Sequence, residues 1–123
     1  MARLFFIIGS LSCFLAVALG AFAAHALKEK LPPDLLNVFE IGVRYHFYHA
    51  LGMFAVAWGV AQFPDANLYP AGWLFVAGTV VFSGSLYALS FSGVRSFGAV
   101  TPVGGLCFLA GWLWMAWQVW RAV

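Results

Sequence analysis

Charged side chains occur in this chain only at the edges of long apolar runs. No Asp, Glu, Lys or Arg stands in residues 4–27, 45–64, 66–94 or 96–120. Each run supplies the about 20 apolar residues that a helix needs to cross the hydrocarbon core. The runs are continuous and not alternating, which predicts helices and not a strand barrel. The pattern therefore predicts an all-α chain: a four-helix transmembrane bundle forming a single domain over residues 1–123, with helices at about 4–27, 35–62, 70–92 and 99–120.

The first helix carries Ser12, Ala16, Gly20 and Ala24 at four-residue spacing. Such a stripe of small side chains lets helix backbones approach closely in lipid, within the bundle or, less favoured, in a homo-oligomer. A connection containing Lys28, Glu29, Lys30, Pro32 and Pro33 follows, and Asp34 is placed to cap the second helix. That helix is longer than the bilayer core requires, so its early charges, Glu40 and Arg44, belong at headgroup level or under cover of the bundle. Helix three has a small stripe of its own, Gly84, Ala88 and Ser92, and Gly104-Gly105 in helix four reads as a point of close packing. Pro102 falls in the first turns of helix four, and Trp112, Trp114, Trp117 and Trp120 crowd its second half, a residue type that favours the membrane interface.

Composition strengthens this picture. Hydrophobic residues make up 64% of the chain and charged residues 8%, whereas a soluble domain is about 25% charged. A formal net charge of +2 with no basic block argues against nucleic acid as a partner and leaves membrane lipids. Cys13 and Cys107 fall inside predicted spans with no metal or redox spacing and read as packing residues. Arg3 followed by an apolar run and Ala24-His25-Ala26 resembles a cleaved signal, but the run outlasts a signal core of about 7–15 residues, so a retained first helix is expected. Lys28, Lys30, Arg44 and Arg95 at one end outnumber Arg3 and Arg121 at the other. The positive-inside rule then places the two basic connections in the cytoplasm and both termini in the periplasm.

With the helices laid antiparallel, the polar residues gather at that basic end. His25 closes helix one, Arg44, Tyr45, His46, Tyr48 and His49 occupy the first half of helix two, Tyr87 ends helix three, and Thr101 begins helix four. Glu40, Arg44 and Tyr48 form one stripe on helix two, with Tyr45 and His49 beside it, while Val43, Phe47 and Ala50 make the opposite, apolar face. Ionisable groups inside a span usually face the bundle or a water-filled cavity. The candidate ligand-binding residues are therefore His25, Arg44, Tyr45, Tyr48, His49, Tyr87 and Thr101. Three lone imidazoles and one distant Glu40 make a poor metal set, without an H-E-x-x-H or an acidic cluster, so neither a metal nor another cofactor is expected. The same cluster could also serve as scaffolding, through an Arg44–Glu40 pair and Tyr/His hydrogen bonds, or as a proton path through His25 or His49.

Four blocks in order resemble one family. Gly20-Ala21-Phe22-Ala23-Ala24-His25-Ala26-Leu27 is similar to the G-A-F-x-A-H-A-L signature of the YgdD/YwdK family of small membrane proteins, which the vertebrate transmembrane protein 256 also resembles. Arg44-Tyr45-His46-Phe47-Tyr48-His49-Ala50-Leu51, Ser83-Gly84-Ser85-Leu86-Tyr87 and Gly98 to Gly105 match its other blocks, covering nearly the whole chain. The resemblance implies a multi-pass protein of the bacterial inner membrane whose function is unknown. All seven candidates fall on motif positions, whereas His46 occupies a slot the motif leaves open and Glu40 lies outside it. The leading expectation is a non-enzymatic protein that binds a small anionic or amphiphilic ligand, a lipid headgroup or metabolite, in a polar pocket of the cytoplasmic leaflet. Its alternatives are an oligomeric transporter or channel subunit for protons or a small solute, a purely structural membrane protein, and an enzyme acting on a lipid with His49 or His25 as general base.

Overall fold

The computed structural model describes residues 2–122; Met1 and Val123, the two ends of the expected domain, lie outside the described residues. Four helices run through it: α1 (Ala2–His25), α2 (Pro33–Gln62), α3 (Tyr69–Ser92) and α4 (Thr101–Ala122). Their starts and stops follow local chemistry. Pro33 begins α2 where a missing N–H costs nothing. Gly93, in the left-handed conformation at φ 70°, ends α3 and returns its N–H to the Leu89 carbonyl. Arg95–Ala99 winds as a 3-10 turn, so α4 begins at Thr101, slightly later than the sequence pattern suggests.

The helices are antiparallel neighbours in chain order. Gly9 packs on Ala50 and Met53 while Gly20 packs on Val43, so α1 runs against α2. Gly42 faces Tyr87 and Gly52 faces Phe75, so α2 runs against α3. Gly78 meets Phe108, and Thr101 bonds Ser85, which fixes α4 against α3. The central pair is α2 with α3, flanked by α1 and α4. Two apolar cores result. The larger one, at the Asp65 end, is built around Phe5, Met53, Val56, Leu68, Phe75 and Phe108; the smaller one, at the basic end, joins Ala23, Leu27 and Phe39.

The outer helices expose their large apolar side chains, Phe14, Leu106 and Leu113 among them, as expected where lipid is the solvent. Three helices are long and apolar enough to cross a membrane: Ala2–His25, Tyr69–Ser92 and the stretch Arg95–Ala122. The fourth expected span, α2, falls short on composition because Asp34, Glu40, Arg44, two tyrosines and two histidines dilute its first half. Of those residues only the two histidines are buried, while Asp34, Glu40, Arg44 and both tyrosines are exposed; α2 and α3 each have nine buried positions.

Two features depart from the regular helices implied by the sequence pattern. Helix α3 contains one π-helical turn, Thr79–Ser83. Its buried positions step by three or four along Gly72, Phe75 and Gly78, jump by five to Ser83, and resume at Leu86 and Leu89. The extra residue rotates the second half of the helix, leaving Ser92 exposed and Gly84 without a close neighbour; that small stripe is not the packing seam. In α1 the buried stripe is Phe5, Gly9, Ser12, Ala16 and Ala23, and Ala24 is exposed.

Candidate functional site

The buried face of α2 is Phe39, Gly42, His46, His49, Met53 and Val56, alternating three and four residues apart. This is the seam spacing of packed helices. Glu40 and Arg44 lie on the opposite, exposed face, and no ion pair joins them; the pair formed among the described residues is Arg95–Asp34, at 2.9 Å between two exposed side chains. Backbone proximity decides this rotation. Gly42 and Gly52 let α3 approach until Tyr87 and Phe75 lie on α2 itself, and a long charged side chain has no room there.

The seven candidate residues consequently separate. Tyr45, Tyr48 and His49 line a groove of about 710 Å³ between α2 and α4, completed by Phe82, Phe108 and Trp112. Tyr87 points to the other side of the α2–α3 pair, into a second groove of about 440 Å³ bounded by α1. Thr101 ties the start of α4 to α3 through Ser85. Arg44 is exposed, one helical turn from Tyr48 on the lipid-facing side of α2. His25 is exposed on the face of α1 opposite its buried stripe and joins none of the others.

His49 is saturated. Its Nδ1–H donates to the Tyr45 carbonyl at 2.8 Å, since a carbonyl can only accept. Trp112 then donates its indole N–H to Nε2 at 3.0 Å, since an indole can only donate. The two bonds fix a neutral imidazole in a single tautomer, and its ring lies flat on Phe108 with centroids 3.5 Å apart. No nitrogen remains for a metal, a substrate proton or a ligand.

His46 is buried and lies three residues away, but it faces the opposite groove, where its Nδ1 and the Tyr87 hydroxyl are 2.9 Å apart. Composition and motif position gave it no weight; the signal that finds it is the three-four spacing of Phe39, Gly42, His46, His49 and Met53. Beside it, Ser83 donates to the Gly42 carbonyl at 2.7 Å, a bond between helices that the π turn makes reachable. At the far end of the bundle, the indole N–H of Trp114 bonds the Asn67 carbonyl, and the Asn67 N–H bonds buried Gln118, so α4 caps the Asp65 turn. Trp112 and Trp114 thus serve as hydrogen-bond donors within the fold. Among the described residues, no three His, Cys, Asp or Glu side chains converge on a point that could hold a metal.

Comparison with known proteins agrees with the four-block resemblance. The family model described as a protein of unknown function, DUF423, matches residues 19–105. The membrane protein YwdK of Bacillus subtilis is 49% identical over 89 residues, covering 72% of each chain. A membrane protein of Staphylococcus saprophyticus is 42% identical over 76% of this chain and 77% of its own. The inner membrane protein YgdD of Escherichia coli is 38% identical over 76% of this chain and 72% of its own. No solved structure matches. With its apolar helices and this run of relatives, the chain is a membrane protein of unknown function that belongs to the DUF423 family, the family of YwdK and YgdD.

Proposed function

We propose that this protein is a non-enzymatic integral membrane protein that binds an anionic amphiphile along its α2–α4 face. The observation that carries the reading is an exposed Arg44, in no ion pair among the described residues, one turn from the mouth of a groove that opens to lipid. Arg44 would hold the anionic head, snorkelling towards the basic connections. An acyl chain would pass over Tyr48 and lie against Tyr45, Leu106 and Leu109, with the His49–Phe108 stack as the back wall. The volume suits one chain and is within the range of ligand sites. In this reading His49 shapes the groove and donates nothing to the ligand, and His25 and Thr101 stand outside the site. A relative named as an inner membrane protein, YgdD, supports a bacterial inner membrane. The excess of Lys and Arg at the connections supports a cytoplasmic position for Arg44 and periplasmic termini.

The test is native mass spectrometry of the full chain in mild detergent with dioleoyl phosphatidylglycerol or dioleoyl phosphatidylcholine added. Phosphatidylglycerol should be retained preferentially, and Arg44→Ala should weaken that retention about five-fold, the effect of one cation at a lipid headgroup. Equal retention of the two lipids, or an unchanged Arg44→Ala, overturns the reading. The hydrogen bonds joining α2, α3 and α4 would then stand as scaffolding only.

A further inference from the structure

The second groove lies on the other side of the α2–α3 pair and has a different chemistry. Its polar groups are His46, Tyr87, Thr79, Ser83 and Ser12, and no Asp, Glu, Lys or Arg lines it. Three of these groups are already engaged: Tyr87 with His46, and Ser83 with the Gly42 carbonyl. Two atoms are not. The Thr79 hydroxyl is buried and has no hydrogen-bond partner among the described residues. In an ordinary α-helix a threonine hydroxyl satisfies itself on a carbonyl one turn earlier, but Thr79 opens the π turn and makes no such bond. The second free atom is Nε2 of His46, whose other nitrogen is held by Tyr87. With the Tyr87 hydroxyl, the stronger acid of the pair, as donor to Nδ1, the ring proton sits on Nε2.

The depth of the groove determines what charge it can accept. Ser12 and Thr79 each lie near the middle of a 24-residue apolar helix, so the groove reaches the bilayer centre. A charged head drawn to that depth costs several kcal/mol or more, whereas a neutral head attached to hydrocarbon partitions there freely. The outer wall of the groove is Leu11, Leu15 and Val80, all exposed towards lipid, so a tail can leave sideways. π turns are frequent at functional sites, and a buried polar atom without a partner calls for a reason.

We propose that the groove between α1, α2 and α3 is a second binding site, for a neutral amphiphile with a carbonyl head that accepts hydrogen bonds from the Thr79 hydroxyl and the His46 Nε2–H. The site is independent of Arg44 and of the α2–α4 groove. Ring quinones and glycerol esters both carry such a carbonyl, and two probes separate them.

The experiment uses the full chain in phosphatidylcholine nanodiscs, with imidazole nitrogens labelled by ¹⁵N. Decylubiquinone and dioleoylglycerol are titrated in separately. Saturable movement of the His46 Nε2 resonance, with that of His49 unmoved, supports the site, and the probe that produces it identifies the source of the carbonyl. Thr79→Val removes the hydroxyl at nearly constant shape. It should weaken the responding probe about five-fold, the worth of one hydrogen bond, while the protein melts no lower than the parent. Arg44→Ala should leave this titration unchanged, so its outcome is separate from the anionic-lipid test. The proposal is overturned if neither probe moves His46, or if Thr79→Val binds as tightly as the parent; ordered water would then be the partner of these two groups. Should Thr79→Val not fold, Thr79→Ser restores the hydroxyl without the methyl and should bind within two-fold of the parent, whereas Thr79→Ala should not.

Discussion

Trp112 of α4 donates its indole N–H to Nε2 of His49 on α2, 3.0 Å away, and thereby fixes the imidazole as a neutral ring bonded at both nitrogens. The bond joins α2 to α4 beside the stack of His49 on Phe108. Trp112→Phe keeps an aromatic ring in the groove but deletes the donor. It should lower stability by roughly 1 kcal/mol, the usual scale of such bonds in membranes, and shift the His49 Nε2 resonance. Thermal unfolding in detergent and ¹⁵N imidazole spectra check both, and an unmoved resonance would mean the bond does not form in solution.

Adjacent glycines on α4 should respond differently to the same substitution. A Cβ at Gly104 would come within 2.8 Å of the Phe82 Cα, backbone that cannot swing aside, whereas a Cβ at Gly105 would meet the Phe82 ring at 3.8 Å, an ordinary contact. Gly104→Ala should therefore cost roughly 1–3 kcal/mol through forced separation of α3 and α4, and Gly105→Ala little. Paired melting curves decide this; equal losses would contradict the close approach at the π turn.

Ser83 holds the π turn to α2 through the Gly42 carbonyl. Ser83→Ala should cost about 0.6 kcal/mol, the average for a hydrogen bond between membrane helices. Its more telling effect should be faster amide hydrogen exchange around Thr79–Ser83. Exchange equal to the parent would show that packing on Gly104 is enough to keep the turn.

Asp34 and Arg95 pair outside the membrane, and their hydrogen bond holds the Asp34 carboxyl below its usual value of 3.8. A depressed carboxylate stabilises the fold at neutral pH and loses that contribution as pH falls through its folded pKa, here below 3.8. Both side chains are exposed, so the effect on melting should be slight. An NMR titration of the carboxyl should have its midpoint below 3.8 in the parent and return towards it in Arg95→Gln. A midpoint that does not move would remove the pair from solution.

The gaps between Arg3, Lys28, Arg44, Asp65, Arg95 and Arg121 were enough to locate four helices and their connections, because in lipid the exclusion of charge and the demand for internal backbone bonding act on composition and length alone. The four motif blocks likewise carried the family. Helix rotation was not readable in the same way. By polarity the inward face of α2 is the stripe Glu40, Arg44 and Tyr48, whereas the buried face is Phe39, Gly42, His46, His49 and Met53. Polarity cannot settle that choice, since a lipid-facing arginine near a helix end can snorkel while a buried histidine can be fully bonded. Close backbone approach at Gly42, Gly52 and Gly104, together with one extra residue in the π turn of α3, decides which side chains meet. The sequence by itself thus determined the all-α class, the order of the four helices and their family. Only the tertiary structure separated the residues of one expected polar pocket, with Tyr45, Tyr48 and His49 in one groove and Tyr87 beside His46 in the other, because the faces of a membrane helix are selected by packing against its neighbours and not by their polarity.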